Sequence, residues 1–158
     1  MNKTILLAVD AARHVTAATD LTRDLSHDTG DHVVVLHVHE FAVGRFGRLQ
    51  VDCPEGDGER LAAEVVADLR SAGVNAAAEI REVSVGHIAR AILAAADEHD
   101  ARVVILGSSG MTDVPHIPFG SVSLRLLHLA RRPVLIVPRQ QTAAELAPES
   151  VAAKALAG

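Results

Sequence analysis

Gly107-Ser-Ser-Gly110, followed after nine residues by Gly120-Ser121, is the stretch of this chain best suited to chemistry. It directly follows the apolar run Arg102-Val-Val-Ile-Leu106 and leads into Val122-Ser123-Leu-Arg-Leu-Leu-His128. A buried strand that runs into a glycine loop, then a helix opened by glycine and hydroxyls, builds a cradle for an anion. Glycine lets the main chain approach a phosphate with no Cβ in the way. The unpaired N–H groups at the start of the next helix face the ligand, and Ser121 and Ser123 add hydroxyl donors. Neither a Gly-Lys-Ser/Thr nor a GxGxxG pattern is present, so the two best-known phosphate fingerprints do not apply. The plainer alternative is that Gly107 and Gly110 only turn the chain while Gly120-Ser121 caps a helix. Position favours the phosphate reading, because an open parallel sheet presents the loops at its carboxyl ends to ligands.

Other candidates are weaker. Asp10 follows the first strand-like run, where a carboxylate either accepts hydrogen bonds from ribose hydroxyls or caps the next helix. Val38 ends the second run, where its backbone can read an adenine edge or its side chain can simply fill the core. His37 and His39 lie two apart, on one face of a strand end, with Glu40 adjacent. No third ligand can be assigned from sequence, so a wet strand end is expected there rather than a metal. Asp52, Glu55, Asp57 and Glu59 crowd around Cys53 without the spacing of a calcium loop, and read as a solvated acidic loop. Such neighbours raise a thiol's pKa and argue against a reactive thiolate. No catalytic triad or carboxylate pair stands out, so no catalytic residues and no metal ligands are assigned.

These positions need elements to hold them. Runs over 4–9, 32–38, 74–83, 102–106 and 133–137 read as strands, the third alternating as a half-covered edge would. Helical spacing covers 14–27, 59–72, 85–99 and 121–130, with Gly30 and Gly73 as stops and Ser84 as a cap for the third helix. Residues 41–58 hold closely spaced glycines and Pro54, and read as a long irregular connection. Strands alternating with helices imply an α/β sheet with right-handed crossovers. At 158 residues the chain makes one domain, and with 49% hydrophobic but only 2% aromatic residues its core must be aliphatic. A net charge of −5 disfavours general nucleic-acid binding. No apolar run approaches the roughly 20 residues that span a bilayer, and no signal peptide is expected from the amino terminus. The single cysteine excludes an internal disulfide and suits a reducing cytoplasm.

The chain resembles the universal stress protein family. The resemblance is carried by Ile5-Leu-Leu-Ala-Val-Asp10, Val35-Leu-His-Val38 and Gly86-His-Ile-Ala-Arg-Ala-Ile-Leu93. It continues through Val103-Val-Ile-Leu-Gly-Ser-Ser-Gly110, Phe119-Gly-Ser-Val-Ser123 and Arg132-Pro-Val-Leu-Ile-Val-Pro138. It implies a domain over residues 1–139, followed by an Ala-rich tail over 140–158. It also implies an open five-stranded parallel sheet of order 3-2-1-4-5 with helices on both faces, and a cytoplasmic homodimer paired through the last strand. A regulatory role in the stress response follows, with ATP or another adenine nucleotide as ligand and Mg2+ as a companion ion. A nucleotide-free dimeric interaction module is the alternative, and a slow ATP hydrolase a more distant one. Carried over, Asp10 meets the ribose, Val9 and Val38 flank adenine, and Gly107, Gly110, Gly120, Ser121, Val122 and Ser123 hold the phosphates. Two departures stand out. Ala11-Ala12 replace the family's usual Gly-Ser after Asp10, and residues 109–119 carry Asp113, Pro115 and Pro118 but no Lys or Arg. A cradle without those cations is expected to favour fewer phosphates.

Overall fold

Continuous Val, Ile and Leu runs lose most free energy when one face stays wet, so they collect in the middle of a parallel sheet. The computed structural model describes residues 3–11, 15–108 and 120–138. β1 (Thr4–Val9) lies at the centre, between β2 (His32–Gly44) and β5 (Ala101–Gly107). Its register runs from Thr4↔His32 to Val9↔His37 on one side and from Ile5↔Val103 to Ala8↔Leu106 on the other. β4 (Ala76–Ser84) adds in parallel to the outer side of β2, and β6 (Val134–Val137) to the outer side of β5. After the buried Ala76, β4 alternates half-buried and exposed residues, as its edge position requires.

The five parallel strands therefore follow β4-β2-β1-β5-β6, but the sheet has a sixth member. β3 (Gly47–Gln50) turns back antiparallel on the end of β2, pairing Phe41↔Gln50 through Gly44↔Gly47. This corrects both the five-strand expectation and the irregular connection over 41–58. The glycines make the turn of a hairpin, Gly47 taking a φ of 115° that side chains disfavour.

α1 (Thr16–Thr29) and α2 (Asp57–Ser71) cover one face of the sheet. Beneath them Ile5, Leu7, Val33, Val35, Ile105 and Leu69 are fully buried. α3 (Ile88–Glu98) and α4 (Ser121–Leu129) cover the other face over Leu6, Leu36, Val104, Ala95 and Leu126. Gly30 ends α1 in the left-handed region, its N–H bonded to the Ser26 carbonyl at 2.7 Å. Ser84 does not cap α3: β4 runs through Ser84, Gly86 turns the chain at a φ of 86°, and the helix begins only at Ile88. Among the described residues no helix is long and apolar enough to cross a membrane. The tail expected over 140–158 lies outside the described residues.

Candidate functional site

A cleft of about 270 Å³ opens at the carboxyl ends of β1, β2 and β5, close to the ~300 Å³ lower end of small-molecule sites. Parallel strands bring their ends to one edge, so residues far apart in sequence become its walls. Val9, Asp10, Val38, Gly107 and Val122 all line it, with Leu36, Ile88, Ile92 and Leu106 supplying an apolar floor. Asp10 does not cap α1, whose N-cap is Val15. The cleft's charged lining is acidic: Asp10, Glu40 and Asp52 are present, with no Lys or Arg among its described residues.

The remaining phosphate candidates divide. Gly120 is the N-cap of α4 and has no side-chain capping bond, leaving the first-turn N–H groups directed at whatever lies before the helix. Its φ of −69° and ψ of 165° are extended backbone open to any residue, so no special conformation requires glycine there. Ser121 lines a neighbouring groove with Val85, Gly86 and Arg125 rather than the cleft itself. Ser123 is fully buried, and its Oγ has no hydrogen-bond partner among the described residues. Gly110 lies outside the described residues. Sequence reasoning passed over Arg125, one turn after Ser121, whose guanidinium donates to the Gly86 carbonyl at 2.7 Å and lines both grooves beside α4. The i, i+4 spacing from Ser121 was the available signal.

A second constellation adjoins the cleft, and it overturns two expectations. His37 and His39 are not a wet strand end: each is only 2% exposed, beneath the start of α2. Asp52 is not a solvated loop carboxylate either, its side chain being 11% exposed. The β2–β3 hairpin returns the chain past β2, with the Val51 N–H bonded to the Glu40 carbonyl at 2.9 Å, and so delivers Asp52 and Cys53 to the two imidazoles. Asp52 Oδ2 lies 3.3 Å from His37 Nε2 and 3.0 Å from His39 Nδ1, while its Oδ1 accepts the Glu40 N–H at 3.1 Å. Cys53 Sγ is 3.2 Å from Asp52 Oδ2, 3.8 Å from His37 Nε2 and 4.0 Å from His39 Nδ1.

The outward nitrogens are held too. His37 Nδ1 meets the Val9 carbonyl at 3.0 Å, and His39 Nε2 meets Glu59 Oε1 at 3.0 Å. Burial works against a charge on His39, yet the Asp52 and Glu59 carboxylates outweigh it and raise its pKa. Burial likewise opposes ionisation of Asp52, but bonds from Cys53, His39 and the Glu40 amide hold its carboxyl below the usual range. Burial and the adjacent Asp52 push the Cys53 thiol up to about 11, as its acidic neighbours led us to expect. Gly58, in the first turn of α2, makes this packing feasible: a Cβ there would lie 2.2 Å from His37 Cδ2 and 2.8 Å from His39 Cε1.

The model of the universal stress protein family matches residues 1–138 of the chain. A universal stress protein from Mycolicibacterium smegmatis is 32% identical over a 150-residue alignment that covers 89% of this chain and 49% of that protein. The chain thus spans about half the length of that curated relative. Among solved structures, a universal stress protein from Archaeoglobus fulgidus superposes with a TM-score of 0.70 at 19% identity, covering 87% of this chain and 99% of that one. A second structure, a universal stress protein from the same organism in complex with dAMP, gives 0.64 at 20% identity, covering 85% and 97%. At such identities the likeness of the structures speaks to the fold.

Proposed function

The chain belongs to the universal stress protein family, and from that premise we propose that it binds an adenine nucleotide in the cleft at the strand ends. The observation that carries this reading is the convergence of Val9, Asp10, Val38, Gly107 and Val122 on one cleft beside the N-terminus of α4. Apolar walls suit a purine, the Asp10 carboxylate suits ribose hydroxyls, and unpaired helix N–H groups suit a phosphate. The related protein solved with dAMP supports the ligand class.

The acidic lining bears on which nucleotide. Asp10, Glu40 and Asp52 repel a polyphosphate, and among the described residues Arg125 is a cation that lines the groove beside Ser121. AMP and ADP therefore bind better than ATP, and Mg2+ narrows the gap by neutralising the longer chain. Acid extraction of the purified protein, followed by titration calorimetry with AMP, ADP and ATP, tests the reading. Asp10→Ala is expected to weaken AMP most and ATP least, because it removes the ribose contact from all three but also relieves the repulsion of the longer phosphate chains. Absence of binding of any adenine nucleotide at millimolar concentration would refute it and leave the interaction-module alternative.

The chain is proposed to work as a cytoplasmic homodimeric regulator of the stress response rather than as an enzyme. Among the described residues β6 pairs only with β5, and Leu135 on it and Leu127 on α4 are 40% and 47% exposed, an apolar edge suited to a second copy. Leu135→Arg should convert the sedimenting species from dimer to monomer, and a wild type that sediments only as monomer at micromolar concentration counts against the pairing.

A further inference from the structure

The His37–His39–Asp52–Cys53 cluster adjoins the nucleotide cleft, whose wall His37 and Asp52 share, and its geometry is close to that of a coordination shell. Zinc bonds of roughly 2.0–2.3 Å to N, O and S place tetrahedral ligands about 3.3–3.8 Å apart. Here five of the six ligand-to-ligand edges are bounded by contacts of 3.0 to 4.0 Å or close to them: Asp52 to His39 at 3.0 Å, to Cys53 at 3.2 Å and to His37 at 3.3 Å, then Cys53 to His37 at 3.8 Å and to His39 at 4.0 Å. All four donors lie within 4.8 Å of one another.

The proton positions point the same way. A carbonyl only accepts, so the bond to Val9 places the His37 proton on Nδ1 and leaves the Nε2 lone pair facing Asp52 and Cys53. His39 has an acceptor at each ring nitrogen, Glu59 Oε1 at Nε2 and Asp52 Oδ2 at Nδ1, and its neutral form with the proton on Nε2 toward Glu59 turns the Nδ1 lone pair inward. Gln50 Nε2, a donor, reaches that same Nδ1 at 3.0 Å. Two lone pairs and a carboxylate oxygen thus converge on one point, which a cation satisfies. An imidazole held from behind by an oxygen acceptor is the usual support of a metal-bound histidine.

We propose that His37 Nε2, His39 Nδ1, Asp52 Oδ2 and Cys53 Sγ form a closed, four-coordinate site for a zinc ion, which ties β2, the end of its hairpin and the start of α2 together. On binding, the Cys53 S–H bond breaks, the sulfur lone pair goes to the metal and the proton goes to solvent. One Asp carboxylate and one thiolate cancel the charge of Zn2+, so the buried assembly is neutral and its desolvation cost small. A mixed N, O and S set in a tetrahedron suits zinc over the oxygen-seeking Mg2+ and Ca2+. Four protein ligands leave no open position, which makes the role structural. Val9 and Cys53 are both reached through His37, so the site also braces the carboxyl end of β1, but it stands whether or not a nucleotide binds.

The test uses the untagged full chain, freed of metal by a chelator, with Zn2+ and Co2+ as probes. Cys53 is the only cysteine, so its rate of reaction with a disulfide reagent reports on the site without any substitution. One equivalent of Zn2+ is expected to slow that reaction at least tenfold, and each chain should retain one zinc after desalting. Co2+ should give a sulfur-to-cobalt charge-transfer band and the strong visible bands of tetrahedral coordination, the first of which Cys53→Ser removes. Glu59→Gln, which alters only the support of His39, should weaken zinc binding by about 10- to 100-fold. His27→Ala, at an exposed histidine, should leave it unchanged. A wild-type thiol whose reactivity zinc does not alter overturns the proposal, and identifies the cluster as an imidazolium–carboxylate pair. Zinc retention undiminished in His39→Ala overturns it as well.

Discussion

Replacing Gly58 with alanine adds one methyl group to the first turn of a helix, where alanine is ordinarily the better residue by about 1 kcal/mol. Here the added Cβ would lie 2.2 Å from His37 Cδ2, 2.3 Å from His37 Nε2 and 2.8 Å from His39 Cε1. Carbon atoms pack at about 3.5–4.0 Å, so the His37 ring or the helix must withdraw by more than 1 Å. The ring has little room to yield, being 2% exposed and held at both nitrogens by Val9 and Asp52. Overpacking of this kind costs about 1–3 kcal/mol, and loosening the two bonds adds about 0.5–1.5 kcal/mol each. With the propensity gain subtracted, a net loss of about 1–5 kcal/mol is expected, a fall in Tm of roughly 2–20 °C for a domain of this size. The chain has no Trp or Tyr, so unfolding in guanidinium should be followed by far-ultraviolet circular dichroism. His37→Ala in the same chain should make room, so the double variant should lose less than the two single losses combined. A Gly58→Ala protein as stable as the wild type would show that the helix start does not rest on the imidazoles.

Leu69→Ala empties a fully buried site under α2 and should cost about 2–5 kcal/mol in denaturant unfolding. Asp31→Asn should cost about 1–3 kcal/mol, because the buried carboxylate accepts the Lys3 N–H at 2.8 Å and pairs with the Arg102 guanidinium. Burial opposes the charge on Asp31, but the Lys3 amide, Thr29 and Arg102 outweigh it and hold its carboxyl below the usual carboxylate range. The contribution is therefore present above about pH 3.8 and fades as pH falls through the lower folded value, so the gap between wild type and variant should close on acidification. Arg125→Ala should weaken ADP binding more than adenosine binding in calorimetry. An equal loss for both would place Arg125 off the phosphate path.

The parallel framework was legible because its signals are local and redundant. Five apolar runs, each bounded by a glycine, a proline or a helical period, left little choice of element. The β2–β3 hairpin was missed because Gly44 and Gly47 punctuate it so closely that the short alternation of Phe41, Val43 and Leu49 was lost among breakers. That Asp10, Val9 and Val38 line the cleft was legible because a strand's carboxyl end is visible in sequence. The burial of His37 and His39 was not. It depends on the hairpin bringing Asp52 back to β2, and on Gly58 letting α2 begin directly above the rings. Neither event has a periodic signature, and a solvated acidic loop has the same composition.

The His–Asp–Cys cluster and the cleft differ in how much chain each must gather. The cleft takes residues from β1, β2, β5 and α4, and so exists only when both ends of the sheet have assembled. The cluster draws every member from one continuous stretch, His37 through Glu59. Closing so short a loop loses little chain entropy, so the cluster can form early and outlast partial opening of β6 and α4. In native-state hydrogen exchange the amides of β2 and early α2 should then behave as one cooperative unit, separable from the carboxyl-terminal elements that complete the cleft.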